Sequence, residues 1–177
     1  MSILKVARMG NPVLREKARR VEVAEIRQPA FQKFVDDMIE TMNEYRGIGL
    51  AAPQVHEPVR LMVVGIQHDE DDEDDSKIEV VPLINPEVTA IGSDTVEGWE
   101  GCLSIPEVRG RVRRAVEIRL QALDRRGKRI DLTLQGFPAR VVQHEADHLD
   151  GVLFIDRMGS FDSLTYLDEY ARFWAKD

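Results

Sequence analysis

One cysteine in 177 residues is too few for any internal disulfide, so a reducing cytosol is the expected compartment. Long apolar runs are also missing, and nothing approaches the length needed to cross a bilayer. The first residues, Met1 to Arg8, have neither the apolar core of a signal peptide nor the Ser/Arg-rich character of a transit peptide, which predicts a bacterial-type cytoplasmic protein. No basic stripe is present, which argues against direct nucleic-acid binding. The net charge of −8 is concentrated in one place. Residues 69 to 75 are seven consecutive acids, and they account for all but one of the eight net negative charges. Such a run repels itself and is expected to be a solvated loop.

What is present fits an ordinary globular chain, 43% apolar and 32% charged. With no internal repeat and no linker beyond the acidic run, a single catalytic domain over 1–177 is expected, with 69–75 inserted as a loop. Asn11-Pro12 reads as a cap and first turn of a short helix. From Pro29 to about Tyr45, Phe31, Phe34, Val35, Met38, Ile39 and Met42 recur at helical spacing, and Gly47 is expected to end that helix in a left-handed conformation. The runs Val59 to Ile66 and Ile78 to Ile84 predict antiparallel strands flanking the acidic loop. Val116, Ile118, Leu120 and Ala122, then Ile130, Leu132 and Leu134, alternate around Asp124-Arg125-Arg126-Gly127 as in a hairpin. Pro138 is expected to start a helix that stops at Gly151, and an amphipathic helix is expected from about Asp162 to Ala175 within the 160–177 tail. Strands in the middle and helices before and after give an α+β class, with antiparallel sheets around a central helix.

That central helix carries His144-Glu145-Ala146-Asp147-His148, the H-E-x-x-H pattern. Positions i and i+4 share a helical face, so two imidazoles can close on one metal ion, and Glu145 can reach a bound water without ligating. A catalytic site needs a third ligand. The extended metzincin pattern would put a histidine at 154, but Phe154 stands there and cannot ligate. Asp168 or Glu169 could supply a carboxylate, as in thermolysin-like zinc endopeptidases. Cys102, in the glycine-flanked stretch Gly98-Trp99-Glu100-Gly101-Cys102-Leu103-Ser104 after an expected strand, is favoured as a thiolate. An N, N, S set with an open position suits Zn²⁺ or Fe²⁺.

Three blocks then carry a resemblance to the peptide deformylases. Gly47-Ile48-Gly49-Leu50-Ala51-Ala52-Pro53-Gln54 matches that family's G-I-G-L-A-A-P-Q loop. Glu100-Gly101-Cys102-Leu103-Ser104 matches its E-G-C-L-S segment, and Gln143 to Leu149 its Q-H-E-x-D-H-L helix. The likeness runs over most of 4 to 160. It implies hydrolysis of the N-formyl group of formylmethionine on nascent polypeptides, releasing formate, with transient contact at the ribosome but no direct nucleic-acid motif. It implies one divalent metal on Cys102, His144 and His148, typically Fe²⁺ in the family, with Zn²⁺, Ni²⁺ or Co²⁺ able to replace it. A metal-activated water would attack the formyl carbon with Glu145 as general base and acid, while the Gln54 side chain and the Leu103 N–H face the oxyanion. Ile48, Gly49, Leu50, Val141 and Gly101 would bind substrate, the glycines of the first block letting a peptide backbone approach. Glu100 and Arg109 are expected to form an ion pair fixing the Cys102 segment. The alternatives are the endopeptidase and an inactive relative that only binds formyl-peptides.

Overall fold

Four consecutive apolar residues, Leu61-Met62-Val63-Val64, conceal a strand that is buried on both faces. The computed structural model describes residues 2–67 and 78–175, so the acidic run 69–75 lies outside the described residues. A five-stranded antiparallel sheet runs in the order β1 (Gly49–Ala51), β2 (Leu61–Gln67), β3 (Ile78–Ala90), β6 (Glu117–Leu123), β7 (Arg129–Gln135). Side chains alternate across it. Leu50, Leu61 and Val63 pack with Val35, Met38 and Met42 of α2 (Pro29–Glu44). Ala51, Met62 and Val64 pack with Ala139, Val142 and Leu149 of α3 (Gly136–Leu149). Helices on both faces explain why an antiparallel strand reads as an unbroken apolar run.

A second antiparallel sheet has the order β4 (Thr95–Cys102), β5 (Ile105–Ala115), β8 (Thr165–Tyr166). Its two long strands form a hairpin with chemically different faces. Glu100, Val112 and Arg114 lie on the face that meets α3, where each is buried. Trp99 and Arg111 lie on the other and meet α4 (Leu167–Phe173), with Trp99 stacked edge-on against Tyr170 at 4.9 Å between centroids and Arg111 over the Trp99 ring at 5.0 Å. The α+β class with open antiparallel sheets around the H-E-x-x-H helix is as expected. The remaining helix, α1 (Val23–Ile26), is short.

Several boundaries differ from expectation. The turn ending α2 puts its left-handed residue at Arg46 (φ 53°), one position before Gly47. Arg46 N–H donates to Asn43 O and Gly47 N–H to Met42 O, a complete Schellman motif. Pro138 does not open α3. The helix begins at Gly136, and the proline sits inside its first turn, where a missing N–H costs nothing. The other end is as expected: Gly151 (φ 73°) closes a second Schellman motif, and a Cβ there would stand 2.6 Å from Arg15 O. The long C-terminal helix is replaced by a 3₁₀ turn Phe161–Ser163, the strand β8 and the seven-residue α4. Pairing of Tyr166 and Thr165 with Val108 and Arg109 of β5 overrides the helical periodicity, and leaves Leu164 outside any helix.

Candidate metal centre

α3 presents Val141, His144, Glu145 and His148 along one face, and all four are buried. Cys102 is not beyond a strand but the last residue of β4, paired with Ile105 across the tight turn Leu103-Ser104. This brings its thiol to the helix. One ligand atom each from Cys102, His144 and His148 lies within 4.8 Å of the others, and Cys102 Sγ is 3.2 Å from His148 Nε2. Among the described residues this is the one such group, and Asp168 and Glu169, exposed in the first turn of α4, do not join it. Phe154 is buried with its ring nearly parallel to that of His144, centroids 6.2 Å apart, so it walls the site it cannot ligate.

Gln54 reaches the same place from the 3₁₀ turn Ala52–Val55 that follows β1. Its Oε1 accepts from Ala51 N–H at 2.8 Å, which fixes the amide so that Nε2 points at Cys102 Sγ (3.5 Å) and Ser104 Oγ (3.2 Å). The N-terminal segment straps this region: Ala7 N–H donates to Gln54 O and Met9 N–H to Ser104 O, each at 2.7 Å.

Charge is organised around Glu100. Arg114 is bidentate on it at 3.0 Å, Arg140 donates to Oε1 at 2.8 Å, and His144 Nδ1 lies 2.9 Å from Oε2. Arg114 continues to Asp147, which Arg157 also holds. Burial alone would raise the Glu100 carboxyl, but the hydrogen bonds from His144 and Arg114 outweigh it and hold the group at about 2. For His144, burial disfavours charge, yet the hydrogen bonds with Cys102 and Glu100 raise it to about 10. Glu145 is pushed up to about 7 by burial, and its Oε2 has no hydrogen-bond partner. Burial, then the nearby His144 charge, drives His148 well below the ordinary imidazole value. With Nδ1 of His144 facing Glu100, its Nε2 is left for a ligand, and a sulfur with two imidazole nitrogens is a donor set for Zn²⁺ or Fe²⁺. The residues fit a divalent cation.

Two expectations fail on geometry. Arg109 does not pair with Glu100. Residues 100, 110, 112 and 114 share one face of the hairpin, and odd-numbered Arg109 lies on the other. Its guanidinium instead covers Gly101, where a Cβ would stand 1.8 Å from Nη1. Nor is the space at the two loop glycines open to a ligand. A Cβ on Gly49 would stand 2.5 Å from Glu145 Oε1, and one on Gly47 3.1 Å from the Leu103 side chain. Leu50 is fully buried in the α2 core, Val141 is buried at the helix face, and Ile48 is 45% exposed. Arg114, Arg140, Asp147 and Ser104 were missed by sequence reasoning. Parity counted from the turn would not have found Arg114, because a register shift between Glu100 and Cys102 breaks it: Glu100 lies two residues before Cys102, and Arg114 nine after Ile105.

The family model for polypeptide deformylase matches residues 3–163. A peptide deformylase 2 of Nostoc sp. is 40% identical over 175 residues, covering 99% of this chain and 97% of its own. The structure of a class I type b peptide deformylase from Acinetobacter baumannii with Met-Ala-Ser bound has a TM-score of 0.81 at 38% identity, covering 89% of this chain and all of that one. The peptide deformylase of Thermotoga maritima has a TM-score of 0.78 at 37% identity, over 90% of this chain and 100% of its own.

Proposed function

The chain belongs to the polypeptide deformylase family, and from that premise we propose that it removes the formyl group from N-terminal formylmethionine with a divalent cation held by Cys102, His144 and His148. Family members are metal-dependent enzymes that deformylate nascent polypeptides, so the endopeptidase alternative lapses. The observation that carries the reading is the convergence of the three ligand atoms within 4.8 Å beside a buried carboxylate with a free oxygen.

When bound, the cation supplies Lewis acidity, which makes a hydroxide-like nucleophile available near neutral pH. Glu145 is the general base. A carboxylate raised to about 7 by burial can accept a proton from water and pass it to the leaving amine. Gln54 Nε2, held by the Ala51 contact, and the Leu103 N–H face the oxyanion that develops on the formyl oxygen. β1 is an edge strand, so the peptide can lie along Ile48 to Leu50 as an added strand, Leu50 contributing only backbone. Val141 and the exposed Ile48 line the path of the methionine side chain, and Gly101, beneath the Arg109 guanidinium, offers the substrate only its backbone. Glu100 orients His144. We assign the whole chain to one catalytic unit with Fe²⁺ as its metal in the cell, acting at the ribosome. A thiol ligand suits the reducing cytosol. No described helix is long and apolar enough to cross a membrane.

Formate release from a formyl-Met tripeptide tests the reading, with anaerobically purified protein reloaded with Fe²⁺, Ni²⁺ or Zn²⁺. Metal-dependent turnover is expected with the formyl peptide and none with its acetyl analogue. Metal-loaded, folded protein that releases no formate overturns the assignment and leaves the inactive formyl-peptide binder.

A further inference from the structure

We propose that Arg140 is a positioning residue that locks the strand bearing Cys102 to the helix bearing both histidines, and so sets how tightly the cation is held. The inference rests on the reading of those three residues as ligands.

The donor set is divided between two elements. Cys102 ends β4, while His144 and His148 ride on α3. Among the described residues β4 pairs only with β5, so no backbone ladder joins it to α3. Gln143 ties α3 to Ala115, at the end of the hairpin far from Cys102, through bonds of 3.1 and 3.0 Å. Those bonds lie away from the Cys102 end. Arg114 links Glu100 to Asp147, but through side chains alone.

Arg140 supplies the missing grip. It is buried, one helical turn before His144 and on the same face. Nη2 donates to Val96 O at 2.8 Å, and Nη1 donates to Val112 O at 2.8 Å, to Gly98 O at 3.4 Å and to Glu100 Oε1 at 2.8 Å. Among the described residues, those to Val96 and Gly98 are the hydrogen bonds from α3 to the backbone of β4. One planar guanidinium therefore holds both strands of the hairpin and the carboxylate whose other oxygen meets His144 Nδ1. Gly98 makes the room, since a Cβ there would stand 3.0 Å from Arg140 Cζ. Charge balance alone does not call for it, because Glu100 already has a bidentate partner in Arg114. What Arg140 adds is the set of carbonyl bonds, which needs the fork of an arginine; a lysine ammonium is a compact point donor.

The test is metal retention, read without substrate. Parent, Arg140→Met, Arg140→Lys and the remote exposed comparator Arg119→Met are loaded with Co²⁺, and the visible spectrum is recorded. Metal loss to excess chelator is then followed, alongside thermal unfolding of the metal-free proteins. Arg140→Met is expected to lose Co²⁺ roughly 10–100-fold faster, the usual scale for residues supporting metal ligands, and to shift the thiolate–cobalt band. Arg140→Lys is expected to fall in between, and Arg119→Met to match the parent. An Arg140→Met protein with lowered thermal stability but the parent's loss rate and spectrum overturns the proposal, because that is purely structural behaviour. Should Arg140→Met not fold, Arg140→Lys decides: parent-like retention overturns, faster loss supports. A parent that holds Co²⁺ but, with any metal, releases no formate sinks the proposed activity alone and leaves this inference standing.

Discussion

Glu145 has one buried carboxylate oxygen without a hydrogen-bond partner, on the helix face that carries His144 and His148. Glu145→Gln removes the proposed base but keeps the shape. It should retain one metal per chain while turnover falls by roughly 10²–10⁴-fold, the range for a general acid–base group. Metal analysis beside steady-state kinetics checks it, and parent-like turnover removes Glu145 from the mechanism. Gly49 belongs to the same question. The space a Cβ would fill is occupied by the Glu145 carboxylate, so Gly49→Ala should push that group away and lower kcat with little change in KM. A raised KM at unchanged kcat would instead mean that the missing side chain serves substrate approach. The motif glycine was visible in the sequence, but its neighbour was not, because nothing local brings residue 49 to residue 145.

Among the elements, the N-terminal strap had no signature in the sequence. It has no regular secondary structure and is held from outside. Ser2 N–H donates to Asp37 Oδ1 at 2.8 Å and Leu4 N–H to Thr41 Oγ1 at 2.9 Å, before Ala7 and Met9 reach the Gln54 and Ser104 carbonyls. The Lys33 hydrogen bond lowers the Asp37 carboxyl, and the Ser2 N–H adds to it against the opposing effect of burial. A carboxyl lower in the folded than in the unfolded state stabilises the fold above its unfolded value. That contribution fades as pH falls through the folded one. Acidification below the ordinary carboxylate range should therefore loosen the strap, seen as excess amide exchange at Ser2 to Leu4 over the intrinsic rate, and Asp37→Asn should loosen it already at neutral pH. Protection in the Asn variant equal to the parent's at neutral pH would discount Asp37. The C-terminal segment went the other way: its helical periodicity was legible, but the free edge of β5 was a stronger partner for Thr165 and Tyr166.

For the molecule as a whole, the buried network through Glu100, Arg114 and Asp147 joins hairpin and helix. Arg114→Met takes a buried partner from both Glu100 and Asp147, which keep Arg140, His144 and Arg157, and should cost up to about 3–5 kcal/mol, a fall in Tm on the order of 10 °C. The exposed Arg119–Asp131 pair is equally well formed, at 2.7 Å, yet Arg119→Met should cost no more than about 1 kcal/mol. Parallel thermal unfolding distinguishes them, and equal losses would mean that burial does not govern these pairs.

The sequence by itself determined the H-E-x-x-H helix, the hairpin of β6 and β7, the antiparallel strands β2 and β3, the α+β class and the family, because each depends on spacing along a few neighbouring residues. A helix turns 100° per residue whatever surrounds it, so His144, Glu145 and His148 had to share a site once α3 formed. Only the tertiary structure decided what completes that site. Whether Glu100 meets Arg109 or Arg114 depends on the face each occupies in the β4–β5 register, and a one-residue change of parity reverses the answer. Likewise Arg140 gains its role because α3 lies across β4, and Gly49 gains its because β1 passes over Glu145. Those contacts join residues tens of positions apart, where sequence spacing has no bearing and packing alone chooses the partner.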